Sequence, residues 1–497
     1  MTARGGPGRR HQLLASLQGL LILVAGALLP GAVSAQDAPR PNILFALADD
    51  WGWPHAGAYG DEVVATPTFD RLAEEGALFE QAFVSSPSCT PSRNAILTGQ
   101  AFYRLGEGAN LHSTLDVEHP TFVRLLEASG YRVGHWRKAW GPGDAAAGGY
   151  EAHPCGPNQR LEEFLAEQPE GQPFCFWFGT SDPHRGYRRG SGAESGIDLD
   201  SIRVPGFLPS DPEVRGDLAD YYFEVQRWDR EVGAALELLA ERGELDSTLV
   251  IMTGDHGMPF PRCKGNLYDW GARVPLAMRW PERISPGLTI RTVTSLTDLA
   301  PTLLEVAGLS APEVMTGVSL LPVLGGGEPP ARPFVVLGRE RHTPAQAMPS
   351  LEGYPSRALR NEDWLLILNL EPERWPAGVP EGATHPMGVH SDCDNGPTKA
   401  HVLAARGTAE GRRFHDLCFG RRPELELYDN HADPDQVVNL ADRAEHRELV
   451  AELREQLVAE LRRTGDPRFV ETPAAPFDGY PYRAAYLQKH LEEHGHR

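Results

Sequence analysis

The run Cys89-Thr90-Pro91-Ser92-Arg93, continuing to Thr98-Gly99, brings a thiol and a guanidinium to the start of one short helix. Pro91 suits a first helical turn and Gly99 a helix end. Backbone N–H groups without partners and the positive end of the helix dipole favour an anion there, and the Arg93 fork matches a sulfate or phosphate oxyanion. A lone cysteine in such a place is ordinarily a small buried apolar residue, so its chemistry depends on what stands around it. Asp49 and Asp50 are adjacent carboxylates that repel one another unless a cation lies between them. Asp255-His256 offers a third carboxylate and an imidazole, Asp182-Pro183-His184 another imidazole, and Lys138 an ammonium. Asp49, Asp50, Asp255 and His256 read as an oxygen-rich divalent-cation set beside Cys89, with Arg93, Lys138 and His184 around the anion.

These residues follow apolar runs of strand length. Pro41 to Ala48, Tyr131 to His135, Pro173 to Gly179 and Thr248 to Thr253 have the continuous hydrophobicity of strands buried on both faces of a parallel sheet. In an open α/β sheet the carboxyl ends of the strands line one crevice, which gathers the polar residues that end each run. Helices are predicted from Thr66-Pro67 through Leu72 to a stop at Gly76, from Thr121 to Ala128, from Asp220 to Ala240, and over Pro301 to Leu309. Beyond Leu324-Gly-Gly-Gly-Glu-Pro-Pro330 the alternation fades. Val335 to Leu337, Arg357 to Leu359, Trp364 to Leu370 and Glu424 to Tyr428 read as an antiparallel sheet, and His446 to Arg463 as a charged amphipathic helix with Leu449, Leu453, Val458 and Leu461 on its apolar side. The fold class is α/β, a large mixed and mostly parallel sheet sandwiched by helices, with a smaller C-terminal α+β part. The expected division is residues 40–325, 331–465 and a tail, 466–497.

Residues 1–35 read as a secretory signal peptide, with Arg4, Arg9 and Arg10 before the apolar run Leu13 to Leu29 and Val33-Ser34-Ala35 as a cleavage site. The competing reading is an N-terminal membrane anchor, against which stand Ser16 and Gln18 and the lack of a second span. The expected location is therefore periplasmic or secreted, with no stable membrane span after cleavage. Of 47 Lys+Arg, three lie in this segment, leaving 44 against 68 Asp+Glu. So acidic a chain is a poor partner for nucleic acid, and an anionic substrate needs local clusters such as Arg185, Arg188 and Arg189. Six cysteines, five without Cys89, form no full disulfide framework, although a bridge between Cys155 and Cys175 stays open. No Asn-x-Ser/Thr sequon occurs.

Cys89-x-Pro91-x-Arg93 followed by Thr98-Gly99 resembles the signature of the type I sulfatases, of the alkaline phosphatase superfamily, in which this cysteine is oxidised to formylglycine. PNILFALADDWG, ATPTFDRLAEEG, SDPH, TGDHG and ELYDNHADPDQVVNLA carry the same resemblance across most of the chain. It implies Asp49, Asp50 and Asp255 as calcium ligands with His256, Cys89 in the same site, and Arg93, Lys138, His184 and Lys264 around the sulfate. It also implies a formylglycine-generating enzyme as maturation partner and a sulfated saccharide as substrate. DPHR at 182–185, VPGFLP at 204–209 and MPFPRCKGNLY at 258–268 look most like the heparan N-sulfatase branch. One departure stands out: many sulfatases have Gly-Lys-Trp-His where this chain has Arg137-Lys138-Ala139-Trp140, so a proton-handling histidine is lost to Trp140, and His135 is a candidate replacement only by nearness in sequence. The resemblance leaves two alternatives, a phosphonate or phosphate-ester hydrolase of the same superfamily and an inert sulfated-glycan-binding protein with unmodified Cys89.

Overall fold

Asn42 to Ala48 form the middle of the protein because alternate residues are apolar in both directions. In this strand, β1, Ile43, Phe45 and Leu47 enter one core, while Leu44, Ala46 and Ala48 enter another on the opposite face. The computed structural model describes residues 40–328, 332–347, 350–381, 388–470 and 476–485. The leader read at residues 1–35 lies outside them, as do parts of the seam and of the tail.

The main sheet contains β1, β2 (Ala77–Phe79), β3 (Arg132–Trp136), β4 (Phe174–Gly179), β5 (Thr248–Gly254), β6 (Leu276–Arg279) and β7 (Leu288–Ile290), in the order β3-β4-β1-β5-β6-β2-β7. β3, β4, β1 and β5 are parallel neighbours, and β6 runs against β5 and β2. β2, β6 and β7 had no counterpart among the strands read from the sequence; each has only three or four residues, too few to establish a period.

Helices cover both faces. Pro212–Glu241 buries Tyr221, Val225, Trp228, Val232, Ala235 and Leu239 against one core, and Phe122–Ala128 and Leu299–Val306 pack on the other. Each large apolar side chain taken fully from water contributes roughly 2 kcal/mol, which fixes these faces inward. The long helix starts at Pro212 with Asp211 as its N-cap, earlier than the apolar period indicated, and its second and third turns present Asp217 and Asp220 to Arg185 and the Gly190 N–H.

Four antiparallel strands, β8 (Phe334–Arg339), β9 (Ser356–Asn361), β10 (Trp364–Asn369) and β11 (Leu425–Asp429), form the second sheet in chain order. Val335, Leu337, Ala358, Leu365 and Ile367 face the core of the main sheet, while Leu359, Leu366, Leu368 and Leu427 face helix Arg447–Arg463. That helix buries Val450, Leu453, Leu457 and Leu461; Leu449 and Val458, expected on its apolar side, are only half-buried, since the packed stripe is rotated by one residue at these two positions. Cys155 and Cys175 are free, buried thiols, so the bridge left open by the sequence is not formed. Among the described residues no helix is long and apolar enough to cross a membrane.

Candidate active site

The carboxyl ends of β1 and β5 lie side by side, with Ala48 paired to Gly254, which sets Asp49-Asp50 against Asp255-His256. The Asp50 N–H donates to Asp255 Oδ1 at 2.9 Å, and Asp50 adopts φ +74°, a region Asp tolerates better than most residues. Gly254 has no room for a side chain, because a Cβ would lie 2.1 Å from the Trp51 carbonyl oxygen. Helix Cys89–Thr98 is buried along its whole length and starts after Ser88, so Cys89 stands at its N-terminus and Gly99, at φ +61°, closes it.

Cys89 Sγ lies 3.3 Å from His256 Nε2 and 3.8 Å from Asp49 Oδ1. His256 Nδ1 donates to the Gly257 carbonyl at 3.1 Å, which turns Nε2 toward Asp50 Oδ1 at 3.3 Å and Asp255 Oδ1 at 3.7 Å. Burial pushes the His256 pKa down, yet the charges of Asp255, Cys89 and Asp50 overcome it and push it up to about 9. Its proton here occupies ground that suits a cation. Asp50, Cys89 and His256 present ligand atoms within 4.8 Å of one another, as do Asp49, Cys89 and Asp255, and Asp50 Oδ1 is buried with no hydrogen-bond partner. An oxygen-rich set with one imidazole fits a hard divalent cation such as calcium.

Cations surround this cluster. Lys138 Nζ donates to both Asp49 oxygens at 2.6 and 2.7 Å, and Lys264 Nζ to Asp50 Oδ2 at 2.9 Å. Burial raises the cost of the Asp49 charge, but Lys138, Arg93, His184 and Lys264 hold its pKa well below the usual carboxylate range. Arg93 is fully buried, and its five N–H groups go to Asp255, the Lys138 and Ala139 carbonyls, the Ala48 carbonyl and Asp49. Arg93, expected beside the anion, ties the strand ends to the cysteine helix with these donors. His184 Nδ1 donates to the Arg185 carbonyl at 2.6 Å, leaving Nε2 as the acceptor nitrogen.

The basic loop does not gather as a free anion site. Arg185 forms a bidentate pair with Asp217, Arg188 pairs with Glu194 and Arg189 with Glu213. Three residues near the cluster were not singled out from the sequence. Asp394 lies 3.3 Å from Lys264 Nζ, His342 Nδ1 meets Ser88 Oγ at 2.7 Å, and the His112 N–H donates to Thr90 Oγ1 at 3.3 Å. They sit in turns without periodicity, and only the chain's return to the site brings them there.

The model of the Sulfatase family matches residues 41–309, which contain all of the candidate ligands. This chain belongs to the sulfatase family. It is 31% identical over 483 residues to human N-sulphoglucosamine sulphohydrolase, covering 86% of this chain and 91% of that one, and 26% identical over 484 residues to an ulvan-active sulfatase of Formosa agariphila, covering 86% and 76%. Sulfatases of this family are sulfuric ester or sulfamate hydrolases that use a metal ion and a formylglycine made from cysteine. A solved structure in complex with its substrate D-glucosamine-2-N,6-O-disulfate superposes with TM-score 0.61 at 20% identity over 87% of this chain and 100% of that one. A phosphonate monoester hydrolase from Silicibacter pomeroyi superposes with TM-score 0.64 at 18% identity over 89% and 100%. The sulfatase fold is thus shared with phosphonate chemistry, and the fold alone does not separate the two.

Proposed function

We propose that this sulfatase removes the sulfate or sulfamate group of a sulfated saccharide, with N-sulfated glucosamine as its first substrate class. The observation that carries the reading is the Cys89 thiol at a helix N-terminus, 3.3 Å from His256 Nε2 within the cluster of Asp49, Asp50 and Asp255. The likeness to human N-sulphoglucosamine sulphohydrolase supports the substrate class.

Asp49, Asp50, Asp255 and His256 would hold one calcium or similar divalent cation, which supplies polarisation of a sulfate oxygen and acidifies a hydroxyl on residue 89. Oxidised by a formylglycine-generating enzyme, residue 89 supplies an aldehyde hydrate, one hydroxyl to attack sulfur and another to release the sulfate. Lys138 and Lys264 exchange Asp49 and Asp50 for equatorial sulfate oxygens and stabilise the charge that develops there. Arg93 positions Asp49 and Asp255. His184, fixed through Nδ1, presents Nε2 to the leaving oxygen or nitrogen and delivers a proton when protonated. Export through the leader at residues 1–35 belongs to the same reading.

The test is mass spectrometry of the Cys89 peptide from protein made with a formylglycine-generating system, followed by sulfate release from N- and O-sulfated glucosamine saccharides. Formylglycine with release from the N-sulfated sugar is expected. Release only from O-sulfated sugars discards the substrate assignment, and faster turnover of matched phosphate or phosphonate esters favours the superfamily's other chemistry. Unmodified Cys89 under competent conditions with no release favours a glycan-binding protein. Cys89→Ala abolishes turnover while its melting temperature stays within a few degrees of the parent; normal turnover in that variant sinks the scheme.

A further inference from the structure

The charged cluster does not end at Lys264. Asp394, in the loop that precedes helix Pro397–Ala405, meets the same ammonium as Asp50: Lys264 Nζ is 2.9 Å from Asp50 Oδ2 and 3.3 Å from Asp394 Oδ2. Side-chain exposure rises along this row, from 0% at Asp50 to 5% at Lys264 and 29% at Asp394. The row therefore runs outward from the cation site, and Asp394 is its solvent end.

The backbone around Asp394 is pinned from several sides. Lys399 Nζ donates to the His390 and Cys393 carbonyls at 3.0 and 2.8 Å and to Asn395 Oδ1 at 3.0 Å. Asp392 accepts the Thr343 N–H and hydroxyl, both at 2.7 Å, and pairs with Arg339 at 2.6 Å. Arg339 also donates to the Gly265 carbonyl, and the Gly265 N–H donates to the Pro87 carbonyl at 2.8 Å, two residues before Cys89. The loop is thus tied to the Lys264 turn and to the entry of the cysteine helix, with no help from the Asp394 side chain. That carboxylate is underused. Oδ2 is buried without a hydrogen bond, where a buried carboxylate oxygen ordinarily accepts at least one. Burial raises the cost of its charge, but Lys264, then His184 and His342, hold its pKa below the usual carboxylate range, so it is an anion at neutral pH. Such a charge repels sulfate and suits a hydrogen-bond donor that arrives attached to it.

We propose that Asp394 is a specificity-determining residue, which accepts a hydroxyl of the sugar that carries the reacting sulfate or sulfamate. This rests on the sulfatase reading above. Lys264 takes the anionic group and Asp394, 3.3 Å from it, takes the ring beside that group, so that two opposite charges read the two halves of one substrate. A role limited to holding Lys264 in place would use the same ion pair, and the experiment separates the two.

The experiment uses full-length protein bearing formylglycine and loaded with calcium. The parent and Asp394→Asn are compared on the sulfated glucosamine that the parent turns over and on its singly deoxygenated forms, with inorganic sulfate as a competing inhibitor. Asp394→Ala, which sets no amide beside Lys264, repeats the series. The expected loss in kcat/KM is roughly 10- to 100-fold, the worth of a hydrogen bond to a charged group. Sulfate, which reads Lys264 without a sugar, should inhibit the variants as well as the parent or better. One deoxy sugar should lose about as much in the parent and lose no more in the variants, which names the hydroxyl. Undiminished kcat/KM overturns the proposal. So does weaker inhibition by sulfate alongside the loss, which assigns Asp394 to holding Lys264, and so does a further equal loss on every deoxy sugar. Parent enzyme with formylglycine that releases sulfate from no sugar overturns the sulfatase reading itself, a separate failure.

Discussion

Asp255 shows why single residues in this site cannot be exchanged for near-isosteres. Oδ1 accepts the Asp50 N–H and Oδ2 accepts Arg93 Nε, both at 2.9 Å, so an amide nitrogen at either position would face another donor. Calcium at about 100 times its dissociation constant is expected to stabilise the parent by about 2.7 kcal/mol. Asp255→Asn should lose that increment together with turnover, read by thermal melts with and without chelator; an equal calcium-dependent rise in the variant would remove Asp255 from the ligand set. Cys89, Asp49, Asp50, Asp255 and His256 were legible because each ends an apolar run or opens a helix with clear punctuation. His112, His342 and Asp394 were not, since no local pattern marks a turn residue for a distant partner.

At the scale of elements, close backbone approach links β4 to the site. A Cβ on Gly179 would lie 1.9 Å from the Lys138 carbonyl oxygen, so Gly179→Ala must displace the loop that presents Lys138. We expect turnover to fall at least tenfold in a protein that still melts cooperatively; unchanged kcat would mean the loop adjusts freely. Helix Pro67–Glu75 gives a second case. Thr66, at its N-cap position, makes no side-chain cap bond, and Asp229 on the long helix accepts the Thr68 and Phe69 N–H groups at 2.9 Å instead. Burial pushes the Asp229 carboxyl up to about 6, against the hydrogen bonds from those amides. The folded value lies above the usual 3.8, so this group's contribution is full below about pH 4 and is lost as pH rises through 6, about 3 kcal/mol in all. Asp229→Asn, with no proton to lose, should flatten that part of the stability profile by the same amount whatever the substitution itself costs. An unchanged slope in chemical denaturation between pH 4 and 7 would refute it.

Across the whole molecule, buried charge ties the second sheet to the turn that follows helix Arg447–Arg463. Arg357 pairs with Glu340 at 2.7 Å and Asp466 at 2.5 Å, all three fully buried. Arg357→Ala leaves the buried Asp466 carboxylate without its guanidinium, while Glu340 keeps Arg468, and should cost about 3–5 kcal/mol, whereas Arg189→Ala, at an exposed pair with Glu213, should change stability by less than about 1 kcal/mol. Urea denaturation of the two variants measures the contrast; similar losses would mean that burial does not set the value of these pairs. The hydrophobic core continues from the main sheet to one face of β8–β10, and residues 476–485 return to the Gly106–Ala109 turn through Arg483 and Glu107.

The sequence by itself determined the parallel strands, their buried character, the cysteine helix and the acidic residues that follow the strands, because period, punctuation and residue type are local properties. Only the tertiary structure decided that Arg93 meets Asp255 and the Ala139 carbonyl, that Arg185, Arg188 and Arg189 are paired with acids, and that His112 stands beside Thr90. Those outcomes depend on which distant group meets a given side chain when the core closes, and a charge or a lone pair carries no sign of its partner until then.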